Sequence, residues 1–156
     1  MRIPFLIASG LIASTAQAAP LVANSPILTR AGAIRALNEA ETRAIAADAP
    51  SAIAIVDGSG MLLAFVRMDA VRPGSVDLAI GKARSAALMR RPTSELEENV
   101  AKGRTALATA GLTALRGGVP IVINGACVGA VGIAGLNKDQ DATIAAQVAA
   151  AMEHAS

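Results

Sequence analysis

GSVDLAIGKARSAALMRRPT, residues 74–93, is the segment around which we expect the rest of the chain to pack. Ser75 is predicted to cap a helix, because its hydroxyl can accept a free backbone N–H of the first turn. Asp77 lies near the positive end of the helix dipole, and Pro92 ends the helix because it disfavours helical geometry in the residue before it. The apolar positions recur at helical spacing and are mostly small: Val76, Ile80, Ala83 and Ala87. We therefore predict a short helix over residues 75–90 that packs closely on a neighbouring element.

Two pairs of apolar runs, one on each side of this helix in the sequence, are predicted to form β-hairpins. Residues 52–68 have strand character around the turn sequence Asp-Gly-Ser-Gly. Residues 121–134 contain Asn124-Gly125, the strongest short hairpin signal. Gly129 and Gly132 lie inside the last run, where glycine often marks a bulge or a close approach by a ligand or another backbone.

Three further helices are predicted beside these hairpins. Thr29 caps the first, Ser94 and Glu97 form a capping box at the second, and Asn137 caps the last. The expected core-facing side chains are Ile34, Leu37, Ala44 and Ile45 in the first helix and Ile144, Val148, Ala151 and Met152 in the last. Hairpins joined through helices indicate the α+β class, with a single antiparallel sheet of about five strands flanked by helices.

The first 18 residues have the pattern of a secretory signal peptide. Arg2 supplies a positive charge, residues 3–15 are largely apolar, and Ala16-Gln17-Ala18 places small residues where a signal peptidase reads. The apolar run is shorter than the roughly 20 residues that span a membrane. We expect cleavage to leave 156 − 18 = 138 residues, periplasmic or secreted and without a membrane segment. A flexible stretch, residues 19–27, then precedes one domain, residues 28–154.

Charge and composition exclude one class of partner and favour another. The formal net charge is +2 and falls to +1 when Arg2 is removed, and without a basic run this gives no case for nucleic-acid binding. Cys127 is the only cysteine, and its apolar strand favours a buried thiol over a bridge between chains. Small side chains bury little apolar area each, and the chain has two Phe and no Trp or Tyr. We therefore expect a homo-oligomer that gains burial by association.

Few residues suggest a chemical site. Lys82, on a helix of small residues, could reach a ligand's carboxylate, or its stem could lie over apolar surface with the ammonium in water. Glu95 and Glu98 lie one turn apart and could hold a hard cation through oxygen, although such pairs more often form a solvated charged face. His154 either complements the negative end of the last helix dipole or is a metal or haem ligand.

Six segments, in this order, resemble the GlcG/HbpS-like family of haem-binding or haem-degrading domains. They are AIVDGSGML (54–62), RMD (67–69), GSVDLAIGKA (74–83), RPT (91–93), GGVPI (117–121) and VGAVG (128–132). The likeness covers about residues 28–152, nearly all of the expected mature chain.

The resemblance implies a small antiparallel sheet with helices on it, in profilin- or PAS-like layering, and assembly into oligomers. It implies haem or a related tetrapyrrole as the ligand. It also marks a set of pocket or interface positions: Arg67, Asp77, Lys82, Gly117, Gly118 and Pro120. Since other members are encoded with glycolate metabolism, the alternative is an enzyme or accessory protein acting on a small organic acid through Lys82 and Asp77. The resemblance assigns no catalytic step.

Overall fold

Helices and hairpins alternate along residues 20–155, the part of the chain that this computed structural model describes. In order they are α1 (Arg30–Ala46), β1 (Ala52–Asp57), β2 (Leu62–Arg67), α2 (Ser75–Met89), α3 (Thr93–Ala101), a 3-10 turn (Thr105–Thr109), β3 (Gly118–Ile123), β4 (Ala126–Ala134) and α4 (Lys138–His154). None of these helices is both long and apolar enough to cross a bilayer. The predicted signal peptide, residues 1–18, lies outside the described residues.

The strands form one sheet in the order β2-β1-β4-β3, and every neighbouring pair is antiparallel. This confirms the α+β class and both predicted hairpins. The sequence predicts about five strands, whereas residues 20–155 contribute four. Asn124 and Gly125 join β3 to β4 with φ of +50° and +78°, the left-handed pair that a two-residue hairpin turn requires.

Helices α1 and α4 cover one face of the sheet, and α2 covers the other. The α1–α4 face holds the larger core side chains, among them Ile53, Ile55, Val131, Ile133, Ile144 and Val148. The α2 face is built mainly from alanines: Ala52, Ala54, Ala130 and Ala134 on the strands and Ala79, Ala83, Ala86 and Ala87 on the helix. Small side chains on both surfaces let this helix and the sheet approach closely.

Gly132 is the point of closest approach between α2 and β4. A Cβ atom at this position would overlap the carbonyl oxygen of Ala79 and lie 2.6 Å from the amide nitrogen of Ala83. The backbone of α2 therefore rests directly on the strand, which confirms the close packing predicted for residues 75–90. Gly129 lies beside the break in register between β3 and β4, where Val128 has no partner in β3, so a bulge, one of the two features that glycine indicates in this strand, occurs next to it.

The predicted core face of α1 is confirmed at Ala44, which is buried, and at Leu37, which is half-buried against the core, and is wrong at Ile34 and Ile45. Ala33, Ala36, Ala40 and Ala44 are the buried residues of this helix, whereas Ile45 is 65% exposed and Ile34 is 36% exposed. Alanine lets the helix axis come close to the sheet, so the narrow alanine stripe faces the core and the isoleucines lie outside it. In α4, Ile144, Val148 and Met152 are buried as predicted.

Two of the four predicted helix caps are confirmed and two are wrong. Thr29 accepts a hydrogen bond from Gly32 N at 3.1 Å, and Asn137 accepts from the amides that open α4. Ser75 is the first helical residue, is buried, and makes no capping bond. At α3 the helix begins at Thr93, and Glu97 bonds to Arg116 instead of closing a capping box.

Candidate functional site

A buried ion pair joins α2 to α4 beside the end of β4. Lys82 Nζ donates to Asp141 Oδ2 at 3.0 Å and to the carbonyl oxygen of Ile133 at 2.8 Å. Asp141 Oδ1 in turn accepts from Gly135 N at 2.8 Å. Lys82 and Asp141 are each only 4% exposed. Removing two charges from water is unfavourable unless they are well paired, and these contacts supply the pairing.

Gly117 and Gly118 wrap around this ion pair because only glycine fits there. Gly117 has φ of +113°, and a Cβ atom on it would lie 2.7 Å from Ile133 O and 3.0 Å from Lys82 Nζ. A Cβ atom on Gly118 would overlap the carbonyl oxygen of Lys82. The Gly118 amide donates to Thr93 Oγ1 at 2.9 Å. The structure thus brings together three of the predicted site residues, Lys82, Gly117 and Gly118.

The contacts of Lys82 link α2 to β4 and to α4 inside the protein. An ammonium group has three donors, and here two of them bond to groups inside the protein. Asp141, which sequence reasoning did not single out, is its partner from 59 residues away. The role of Lys82 in binding a small organic acid stays a prediction.

The other predicted ligand-binding residues lie apart from one another. Arg67 is exposed at the end of β2, and Pro120 is half-buried in β3. These two strands are the opposite edges of the sheet. Asp77 is exposed in the first turn of α2. Their role in ligand binding stays a prediction.

The two predicted metal-binding carboxylates each lie beside a cation of their own helix region. Glu95 is 3.2 Å from Arg91, and Glu98 is 3.7 Å from Lys102. Over residues 20–155 the structure gathers no group of three or more His, Cys, Asp or Glu side chains that could hold a metal ion. His154 is exposed, with Nδ1 2.6 Å from the carbonyl oxygen of Ala150. The metal role of Glu95 and Glu98 stays a prediction.

An apolar cleft, which we call the α1–α4 cleft, opens between the start of α1, the end of α4 and the β3–β4 hairpin. Its volume is about 410 Å³, within the range of small-molecule sites. Hydrocarbon side chains make up most of its surface, and Arg35 is the charged residue that lines it. The lining residues are Pro26, Ile27, Leu28, Thr29, Ala31, Gly32, Arg35, Ile123, Val128, Met152 and Ala155.

Sequence reasoning missed this cleft because three distant segments form it. Leu28 N donates to Val128 O at 3.0 Å, so the chain before α1 lies beside β4. Met152, predicted only as a core residue, lines the same cleft from α4. The local composition of the chain does not indicate that residues 26–35, 123–128 and 152–155 come together.

A surface network of charges links α3 to α4 through Arg116. Arg116 donates to Glu97 and to Asp139, the latter at 2.7 Å, and Lys138 Nζ lies 3.4 Å from Glu97. Partial burial by itself raises the pKa of Glu97, but the hydrogen bonds and charge of Arg116, with those of Lys138, outweigh it. They hold the pKa of Glu97 below its ordinary value of 4.5. The hydrogen bonds to Glu97 and Asp139 also raise the pKa of Arg116.

We expect the Glu97→Gln variant to be less stable than the wild type at neutral pH. Between neutral and acidic pH its free energy of unfolding should fall less than that of the wild type. A carboxylate whose pKa is lowered by folding stabilises the protein above its unfolded pKa, and this stabilisation disappears as the pH falls through the folded value. Urea unfolding between about pH 7 and pH 3 measures the effect. Glu98→Gln is the control, because its carboxylate is 60% exposed and 3.7 Å from Lys102. Parallel pH curves for wild type and Glu97→Gln would contradict the assignment.

The sequence of this chain matches a known family model over most of its length. The model described as haem degrading protein HbpS-like matches residues 28–150, which include the whole sheet, the Lys82–Asp141 pair and most of the α1–α4 cleft. The chain belongs to the HbpS-like family. The resemblance seen in the sequence is therefore confirmed.

This chain is similar to one named relative in sequence and to two solved structures in fold. GlcG of Escherichia coli is 51% identical over 82 residues, which are 52% of this chain and 61% of GlcG. The match thus spans less than two thirds of GlcG. The crystal structure of a double mutant of Streptomyces reticuli HbpS has a TM-score of 0.75 and 34% identity, covering 86% of this chain and 97% of that one. The PduOC:haem complex has a TM-score of 0.71 and 28% identity, covering 81% and 94%.

Proposed function

We propose that this chain is an exported, self-associating protein that binds haem or a related tetrapyrrole in the α1–α4 cleft. The observation that carries the proposal is the cleft itself, an apolar concavity of about 410 Å³ with a cationic side chain in its wall. Membership of the HbpS-like family and the similarity to a protein solved as a haem complex support haem as the ligand. The signal-peptide pattern of residues 1–18 supports export.

The lining of the cleft suits the two chemical parts of a tetrapyrrole. The flat macrocycle is apolar, and Leu28, Ile123 and Val128 present hydrocarbon surface to the cleft. The propionate groups are anionic, and a guanidinium group binds carboxylates through paired hydrogen bonds. Arg35 supplies such a group at this site. It forms no ion pair within residues 20–155, so its donors remain available to a ligand.

The cleft also contains a donor that iron accepts. Met152 lines the cleft from α4, and a methionine thioether is an axial ligand in some haem proteins. When bound, haem would supply the ligand-binding and redox chemistry of its iron. The chain itself would hold the macrocycle between α1 and the β3–β4 hairpin, pair Arg35 with a propionate, and limit the access of water.

We expect the mature chain, residues 19–156, to bind haem with a saturable change in the Soret band at one haem per chain. Ala31 is exposed and lines the cleft, so Ala31→Trp would fill it and weaken binding at least tenfold. Ala146→Trp is the matched control, because Ala146 is exposed on α4 and outside the cleft lining. Titration of each purified protein with haemin measures the affinities.

A second variant tests the proposed iron donor separately from the cleft. Met152→Leu keeps nearly the same volume but removes the sulfur atom. If the thioether binds iron, this variant retains haem in the cleft with a changed Soret maximum. Absence of saturable binding by the wild type, or equal affinities for the two tryptophan variants, would overturn the proposed site.

A further inference from the structure

The outward face of α2 carries a line of exposed residues that includes one negative and one positive side chain. Asp77, Arg84 and Leu88 follow one another at spacings of seven and four residues, which place them on one side of a helix. All three are exposed, and Leu88 is 50% exposed. Helix α2 covers most of this face of the sheet, and the start of α3 contacts β3 beside it. The line of these three residues, which we call the α2 ridge, is therefore open to a partner.

Neither charge on the α2 ridge is neutralised within the described chain. In residues 20–155 neither Asp77 nor Arg84 forms an ion pair, whereas charged residues on α1 and at α3 pair with residues one turn away. The two residues lie about 10 Å apart along the axis at 1.5 Å per residue. At that separation the two side chains of one helix cannot form an ion pair with each other.

We propose that two copies of this chain associate through α2, packed antiparallel about a twofold axis, with Asp77 of each copy opposite Arg84 of the other. A negative residue followed seven positions later by a positive one is its own complement when the direction is reversed. A twofold interface makes each contact twice, so a single register forms both ion pairs. The charge pattern of α2 is therefore complementary to that of a second, reversed copy of the same helix.

The residues beside the two charges supply apolar surface in that register. Reversal about the midpoint of Asp77 and Arg84 places Ile80, which is half-buried, at the crossing. Thr113 covers the neighbouring Gly81, since a Cβ atom there would overlap Thr113 Oγ1. The second helix would therefore contact the Ile80 side of the ridge. Toward its end lies Leu88, close to Gly60. This apolar surface would be removed from water in the dimer.

This inference rests on the self-association in the proposed function and is independent of haem. Its test compares oligomeric states of the mature chain, by sedimentation velocity over a concentration series. We expect Asp77→Arg and Arg84→Asp, each alone, to raise the dimer dissociation constant at least tenfold, because each places like charges opposite one another twice. Asp69→Arg, an exposed charge reversal away from α2, is the control and leaves the constant unchanged.

Mixing the two variants distinguishes a lost interface from a damaged fold. In a mixed pair, the arginine introduced at position 77 of one variant would face the aspartate introduced at position 84 of the other. The native Arg84 of the first would face the native Asp77 of the second, so dimers form again. Circular dichroism shows that each variant is folded.

Each outcome of these experiments bears on a different claim. If the single variants stay associated, or if the mixture does not reassociate, the α2 interface is wrong while self-association itself stands. A wild type that is monomeric at all concentrations overturns both. The haem titration is unaffected by either result.

Discussion

Replacing Lys82 by Met is expected to lower the free energy of unfolding by about 3–5 kcal/mol, because it leaves a buried carboxylate without its cation. The Asp141 side chain is 6% exposed and cannot turn to solvent while α4 stays in place. It retains the hydrogen bond from Gly135 N, but this single amide does not replace a charge partner. Urea denaturation at neutral pH measures the loss.

A double variant tests whether the loss of stability comes from the unpaired carboxylate. Lys82→Met combined with Asp141→Asn removes both charges and keeps an acceptor for Gly135 N, so we expect it to recover at least half of the lost stability. The surface pair Arg91–Glu95 is the comparison, because its side chains are 68% and 46% exposed. Arg91→Met should change stability by less than about 1 kcal/mol. Equal effects of Lys82→Met and Arg91→Met would show that the buried pair is not what joins α2 to α4.

Replacing Gly132 by Ala is expected to lower the free energy of unfolding by about 3 kcal/mol, at the upper end of the range for overpacked cores. The new methyl group would overlap Ala79 O and contact the backbone nitrogen of Ala83. Backbone atoms of a packed helix cannot rotate away as a side chain can, so α2 has to move off the sheet. The midpoint of urea unfolding and the near-ultraviolet or methyl NMR spectrum report the change.

Gly74 provides the matched control for this glycine. It precedes α2 with φ of −63°, and a Cβ atom there would meet nothing within 4 Å. Gly74→Ala should therefore stay within about 0.5 kcal/mol of the wild type, as is usual for surface substitutions. A Gly132→Ala variant as stable as Gly74→Ala would mean that α2 does not rest on β4 through its backbone.

Local chemistry predicted the elements and the hairpins because it acts over a few residues. Asn124-Gly125 adopts two left-handed conformations with little strain, so the turn and the antiparallel pairing of β3 with β4 follow from two residues. Thr29 and Asn137 cap helices because their oxygens reach amides two or three residues away. Alternation of apolar runs with helical segments sufficed for the α+β class.

The choice of helix face depended on tertiary packing. In α1 both the isoleucines and the alanines repeat at helical spacing, and hydrophobicity favours the isoleucines. The structure buries Ala44 as predicted, but it buries Ala33, Ala36 and Ala40 in place of the isoleucines, because small side chains let the helix pack closer to the sheet. The spacing of apolar residues in a sequence gives no information about the distance between two packed elements.

The class of fold, the two hairpins, the close packing of α2 and the family all followed from the amino-acid sequence, since each depends on residues near one another or on ordered motifs. The folded structure was needed to show that Lys82 pairs with Asp141, that Gly117 and Gly118 enclose them, and that Arg35 and Met152 share an apolar cleft. Those contacts join residues far apart in the chain. Their free energy depends on burial and on the distances between atoms, which exist only once the chain has folded.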